Sequence, residues 1–302
     1  MSGGLRRRLQ AKYDAGENIE VVKRLLEPLL RPGMSIADIG PGTGELVSHI
    51  RTFARGRGIA LELHVVDYLQ SILDRFPDDV RKHLFNLHTL ADTSEEIRRM
   101  PLGDGIFDVV AFTEVIEHIT FPQIMISEIA RVLKPGGLLV ITTPNIFCLG
   151  NRLATLFGTD KLFRKVGEEG FVSTIEFNSF GHVAHYSPKS LIQLLEPWFE
   201  IEKRTGACFK LPGLRFFQTA LARMFPNFAN HVVLIARRRD ISDTSLRIVP
   251  CLLTGATELT LPDGRCLHPV PHNGICYDCP HFHKDFLHRL DRRKKAAYRP
   301  KN

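Results

Sequence analysis

No uninterrupted apolar run in this chain approaches the roughly 18 residues that a membrane-spanning helix needs, so no membrane span is expected. The basic residues Arg6, Arg7 and Arg8 lack the apolar stretch that follows such residues in an export leader, and a cytoplasmic location is expected. Internal repeats and low-complexity tracts are absent too, which removes solenoids and long linkers from consideration. Acidic residues are outnumbered, 33 against 40 basic ones, but the deficit is local. Residues 281 to 302 hold eight Lys and Arg against Asp285 and Asp291 alone, so the net charge of +7 resides almost wholly in that tail. Cysteine is scarce through most of the chain: Cys148 and Cys208 come first, and Cys251, Cys266, Cys276 and Cys279 fall in the last fifth. In a reducing compartment such clustering suggests metal ligation rather than disulfides.

With 302 residues, 44% of them hydrophobic, the chain can bury a large core, and one main domain with a tail is expected. From Met34 to Arg237 short β-branched apolar runs alternate with helical patterns, as in a mostly parallel sheet covered by helices on both faces. Strands are expected at Met34 to Ile39, Leu61 to Asp67, Asn86 to Leu90, Phe107 to Phe112 and Leu138 to Thr142, and two more at Phe199 to Lys203 and His231 to Ala236. Helical spacing covers Glu45 to Phe53 and Pro122 to Leu133, the second closed by Lys134-Pro135-Gly136-Gly137. The alternation lapses for about forty residues after Asn145, which suggests a lid over 146–187 with its own helices. Within it, Phe147, Leu149, Leu153 and Leu156 have the spacing of residues that pack a lid helix. Composition changes near Asp240, so domains of 1–239 and 240–302 are expected, with a short hairpin about Pro262-Asp263-Gly264 in the second.

The first expected strand runs into Gly40-Pro41-Gly42-Thr43-Gly44 ahead of a helix. Open α/β sheets bind ligands beyond the C-terminal ends of their strands, and glycine there lets a ligand approach the backbone. Such a loop alone also serves nucleotides or merely turns a corner. Here Asp38 stands two residues before the loop, Asp67 ends the second strand where a carboxylate can accept two ribose hydroxyls, and the longer dinucleotide spacing is missing. The segment from Asp38 to Gly44 resembles class I methyltransferases, whose motif runs acidic-x-Gly-x-Gly-x-Gly, and the likeness extends through 100–110 and Leu133 to Gly137. The resemblance implies a Rossmann-like α/β fold of seven strands, five parallel and the last two a hairpin, and S-adenosylmethionine as methyl donor. It further implies that Asp38, Gly40, Gly42 and Gly44 hold the methionine end, Asp67 the ribose, Tyr68 a face of the adenine and Asp92 the adenine amine.

Thr113-Glu114-Val115-Ile116-Glu117-His118 follows the fourth strand, near where the methyl group belongs in such a fold. If the segment turns helically, Glu114, Glu117 and His118 share a face. His118 then serves as general base with Glu117 orienting it and His185 assisting, or the carboxylates and imidazole hold a divalent ion, or His118 is a hydrogen-bonded wall residue. The Glu-x-x-Glu-His pattern resembles ubiquinone-biosynthesis O-methyltransferases and enzymes that methylate the terminal ribose of small RNAs. That resemblance implies Mg²⁺ or Mn²⁺ held by Glu114, Glu117 and His118, with His182 of Gly181-His182-Val183-Ala184-His185-Tyr186 as a further ligand at altered spacing.

The lid also resembles bacterial methyltransferases of polysaccharide and secondary biosynthesis, through Thr143-Pro144-Asn145, Asn151-Arg152-Leu153, the segment from Gly181 to Pro188 and Pro226 to Asn230. In the tail, Cys276-Tyr277-Asp278-Cys279 together with Cys266 has the ligand types of a structural zinc site, although a second Cys-x-x-Cys is missing, and reduced thiols are the alternative. These readings converge on a methyltransferase that acts on oxygen in a small-molecule or sugar-containing acceptor. The rivals are a metal-dependent RNA ribose methyltransferase that uses the basic tail, and a catalytically idle module that binds the donor.

Overall fold

The computed structural model describes residues 18–87, 99–157, 182, 184–209 and 218–240, together with the backbone of 247–250 and 257–260. Five strands, β1 (Ser35–Ile39), β2 (Glu62–Asp67), β3 (Val80–Leu84), β4 (Phe107–Thr113) and β5 (Leu133–Pro144), run parallel in the spatial order β3-β2-β1-β4-β5. The sheet continues through β7 (His231–Arg238) to β6 (Phe199–Ala207), with β7 antiparallel to both of its neighbours. β6 and β7 therefore pair as expected of the last two strands, but the link between them contains a helix rather than a tight turn.

Sheet position explains the composition of each strand. All five residues of β1 are buried, as are Val109 to Phe112 of β4 and Leu138 to Thr143 of β5, because a parallel sheet with helices on both faces leaves its central strands no wet side. β3 lies at the edge and reads Val-Arg-Lys-His-Leu with only Val80 buried. That is why the third strand is misplaced in the sequence reading: the apolar content of Asn86 to Leu90 attracts the assignment, while the true strand is polar and ends at Leu84.

Helices fill the connections. The first helix, α1, spans 18–26. α2 (Glu45–Gly56) buries Leu46, Val47, Ile50 and Ala54, a single stripe at helical spacing, and α3 (Gln70–Leu73) is one turn. α4 (Pro122–Val132) has Pro at its first turn, where the missing N–H costs nothing, and passes directly into β5. Its buried Arg131 binds Glu128, Asp104 and the carbonyls of Met100 and Leu102, so that the loop before β4 is pinned by paired charge. Three shorter helices follow: α5 (Leu149–Leu156), α6 (Pro188–Leu195), capped reciprocally by Ser187 and Ser190, and α7 (Gln218–Met224). Among the described residues no helix is long and apolar enough to cross a membrane.

The chain divides into compact units of residues 1–241 and 242–302. In the second, Arg247–Pro250 pairs antiparallel with Thr257–Thr260, so the described strand pair precedes the expected hairpin position. Pro262 to Gly264, Cys266, Cys276, Cys279 and the basic run lie outside the described residues, as does Asp92.

Candidate active site

The loop after β1 turns sharply because three of its residues take left-handed backbone, with φ of 74° at Gly40, 54° at Gly42 and 76° at Gly44. Two of these glycines also answer to sterics. A Cβ on Gly40 would stand 2.6 Å from Cγ2 of Val115, and one on Gly44 would stand 2.9 Å from the Phe76 ring. The Gly40 contact joins the loop directly to the segment after β4. Asp38, on β1, is buried, and its Oδ1 has no hydrogen-bond partner among the described residues. Burial, with the charge of Asp67 on the neighbouring strand adding to it, pushes its carboxyl up to about 7. Asp67 closes β2; its Oδ1 accepts from the Leu69 N–H at 2.9 Å, and Tyr68 beyond it is 45% exposed. A buried carboxylate oxygen without a partner among the described residues, open space over Gly42, where an added Cβ would meet nothing within 4 Å, and a second carboxylate at the next strand end fit a donor that carries an ammonium group and a ribose.

The segment after β4 departs from the regular helical turn anticipated for it. Glu114 has φ of 55°, and a 3-10 turn follows at Ile116–His118. A left-handed glutamate costs of the order of 1–2 kcal/mol, and such outliers collect at functional sites. The strained backbone is held by the Glu114 N–H, which donates to the carbonyl and the hydroxyl of Thr142, 3.1 Å each. The two carboxylates diverge as a result. Glu114 turns toward β5 and β7: it accepts from Thr142 Oγ1 at 2.7 Å, and its Oε2 meets His231 Nδ1 at 3.1 Å. Burial opposes its charge, but the charge and hydrogen bond of His231, with Thr142, outweigh burial and hold its carboxyl below the usual value. Glu117 is buried, accepts from Thr143 Oγ1 at 2.9 Å, and is driven up to about 8 by burial first and then by Glu114.

Glu117, His118 and His182 bring one ligand atom each to within 4.8 Å of one another. The rings of His118 and His182 meet edge to face at 4.9 Å, and the Ala184 N–H donates to the Glu117 carbonyl at 3.0 Å, which ties the histidine segment to the 3-10 turn. The group of three excludes Glu114, because its carboxylate is already engaged by His231 and Thr142. His185 is exposed, its ring 6.1 Å from that of His182, and it too stands outside the group. His231, Thr142 and Thr143 escaped the sequence reading. All three sit where β5 ends and β7 begins, the ligand edge of the sheet, and that position is the signal that could have identified them. One carboxylate and two imidazoles can move a proton, position a hydroxyl or hold a divalent ion.

A family model described as a methyltransferase domain matches residues 6–197. A mitochondrial ubiquinone biosynthesis O-methyltransferase from Dictyostelium discoideum is 28% identical over 137 residues, 44% of this chain and 42% of that protein. A ubiquinone/menaquinone biosynthesis C-methyltransferase from Paraburkholderia phymatum is 32% identical over 145 residues, 47% of this chain and 51% of that protein. The matched region thus spans about half or less of each relative's length. Among solved structures, a Bacillus halodurans protein described as a methyltransferase aligns over 72% of this chain and 98% of that one, with 15% identity and a TM-score of 0.47.

Proposed function

Because the chain belongs to the methyltransferase domain family, we propose that it transfers a methyl group from S-adenosylmethionine to an oxygen atom of a small-molecule acceptor, sugar-containing acceptors included. The observation that carries this reading is the contact of Val115 with Gly40: the segment bearing Glu117 and His118 abuts the glycine loop, so a donor in the loop faces the proton-handling cluster. On the donor side, Asp38 with Gly40, Gly42 and Gly44 takes the methionine end, Asp67 takes the ribose hydroxyls, Tyr68 covers the adenine and Asp92 reaches its amine.

In the transfer, the acceptor oxygen attacks the methyl carbon and the carbon–sulfur bond breaks, with its electron pair remaining on sulfur. The acceptor proton passes to His118, which Glu117 orients. Glu117, His118 and His182 also suit Mg²⁺ or Mn²⁺, and an ion there would supply Lewis acidity toward the acceptor hydroxyl. The two named relatives methylate oxygen and carbon respectively in ubiquinone biosynthesis; a cluster rich in proton acceptors favours oxygen here. To test the reading, the protein is incubated with methyl-labelled donor and fractionated small molecules, carbohydrate, lipid and RNA. Label is expected in a small-molecule or carbohydrate fraction, as an ether stable to mild base. Label in RNA would support the ribose-methylating rival, and donor binding with no labelled product would support the idle module.

A pH dependence follows from Asp38. Its folded-state carboxyl is raised, so the fold favours the protonated form, and the stabilisation is complete below the ordinary carboxylate range and lost as pH climbs toward 7. A cationic ligand favours the ionised form. Donor affinity should therefore rise about tenfold from pH 6 to pH 8 and level off above that, with D38N abolishing the slope. Calorimetric titration across that range that gave a flat profile for the unaltered protein would remove Asp38 from the ammonium site.

A further inference from the structure

Among the described residues, Asn18 alone has both polar atoms of its side chain buried without a hydrogen-bond partner, and the residue is 1% exposed. An amide buried in that way gives up its bonds to water and receives none in return, so the position is costly unless a ligand completes it. Asn18 lies in the first turn of α1. It heads the stripe of Val21, Val22 and Leu26, at i, i+3, i+4 and i+8, whose side chains join the core with Leu46 and Val47 of α2. Helical spacing therefore turns Asn18 inward, at a position where an apolar residue would serve packing better.

The course of α1 shows what it faces. Lys23 Nζ meets Glu45 Oε1 at 2.8 Å, and Glu27, just beyond α1, meets His49 Nε2 at 2.8 Å. These contacts are one turn apart on each side, so α1 runs alongside α2 and in the same direction. Glu45 is the first residue of α2, directly after Gly44, and Lys23 shares a groove with Thr43 and Gly44. The turn of α1 that precedes Lys23 is consequently level with the residues that precede Glu45, which are the glycine loop. Asp38, two residues before that loop, has a buried Oδ1 that is likewise without a partner among the described residues. Unsatisfied polar side chains thus border the loop from two elements. The methionine end of the donor is a zwitterion: the Asp38 carboxylate suits its ammonium group, which leaves its carboxylate to be met by an N–H.

We propose that Asn18 is a donor-recognition residue whose Nδ2–H donates to the carboxylate at the methionine end of S-adenosylmethionine. The proposal rests on the donor reading above and places one of its contacts on α1, outside the glycine motif. Calorimetry with the full chain, N18L and N18A follows the binding of S-adenosylhomocysteine and of methylthioadenosine, which keeps the adenosine and the sulfur but has no amino-acid end. Both variants are expected to lose about tenfold or more in affinity for S-adenosylhomocysteine and less than about twofold for methylthioadenosine. N18L, which fills the same space without burying an amide, is expected to melt at the same temperature or higher. Undiminished S-adenosylhomocysteine affinity in N18L overturns the proposal while the donor reading stands. Equal losses for the two ligands, with a lower melting temperature, assign Asn18 to the fold and overturn it as well. If the unaltered protein binds neither ligand, the donor reading falls and the proposal with it.

Discussion

His118→Ala lowers turnover by about 10²- to 10⁴-fold while donor affinity stays unchanged. The expectation rests on where the ring sits: among Glu117 and His182, in the segment whose Val115 meets the donor loop at Gly40. Glu117 sharpens the test. Its carboxyl is driven up to about 8 and accepts from Thr143, so near neutral pH it is largely protonated, and glutamine reproduces its shape and hydrogen-bonding capacity. If Glu117 orients His118, Glu117→Gln should keep most activity and Glu117→Ala should lose it. If the group holds a cation, both variants and a chelator should abolish turnover, with Mg²⁺ or Mn²⁺ restoring the unaltered protein alone. Donor affinity read by calorimetry and turnover read by label transfer separate these cases. An unaltered rate for His118→Ala would remove the residue from the chemistry.

Gly40→Ala produces the opposite pattern, a loss of donor binding at least as large as about tenfold. Two costs add. Alanine at φ of 74° pays about 1–2 kcal/mol in backbone strain, and its Cβ would stand 2.6 Å from Cγ2 of Val115, a stiff β-branched side chain that cannot swing away cheaply. Relief requires the loop or the segment after β4 to move. Combining Gly40→Ala with Val115→Ala removes the clash and leaves the strain, so the double variant should recover part of the lost affinity. Such a recovery marks coupling between the two segments, because independent sites would show additive losses. Strict additivity in the double-mutant cycle would mean that the contact has no energetic consequence.

The glycine turn after β1 was legible in the sequence because its requirements are local. A turn that needs left-handed backbone demands glycine at fixed offsets, so the places of the glycines in the turn, of Asp38 in β1 and of Asp67 at the end of β2 could be read from the chain, whereas their roles toward a donor come from the resemblance and are proposals. The cluster was legible only in part. Glu117, His118 and His182 meet, but the division of labour between Glu114 and Glu117 depends on His231, which lies 117 residues further along and reaches Glu114 only because β7 pairs with β5. No spacing rule connects those positions. Regular helical geometry for the segment also failed, since Glu114 takes left-handed backbone that the hydroxyl and carbonyl of Thr142 maintain. The edge strand was misread for a different reason: where one flank has no neighbouring strand, burial no longer selects apolar residues, and β3 kept only Val80.

The placement of β7 between β5 and β6 has a consequence for the newborn chain. β5 pairs along its length, Leu138 to Pro144, with the strand that leaves the ribosome last in this unit, Arg237 back to His231. β6 is synthesised earlier yet lies one place further out, and it cannot take its final position until β7 has been inserted beside β5. Until residue 238 emerges, β5 presents an apolar, unpaired flank, the kind of edge on which strands from other chains add. β7 alone enters the sheet between two strands synthesised before it, and premature termination between β6 and β7 would leave a chain whose donor loop is complete and whose sheet lacks the strand that joins β6 to β5.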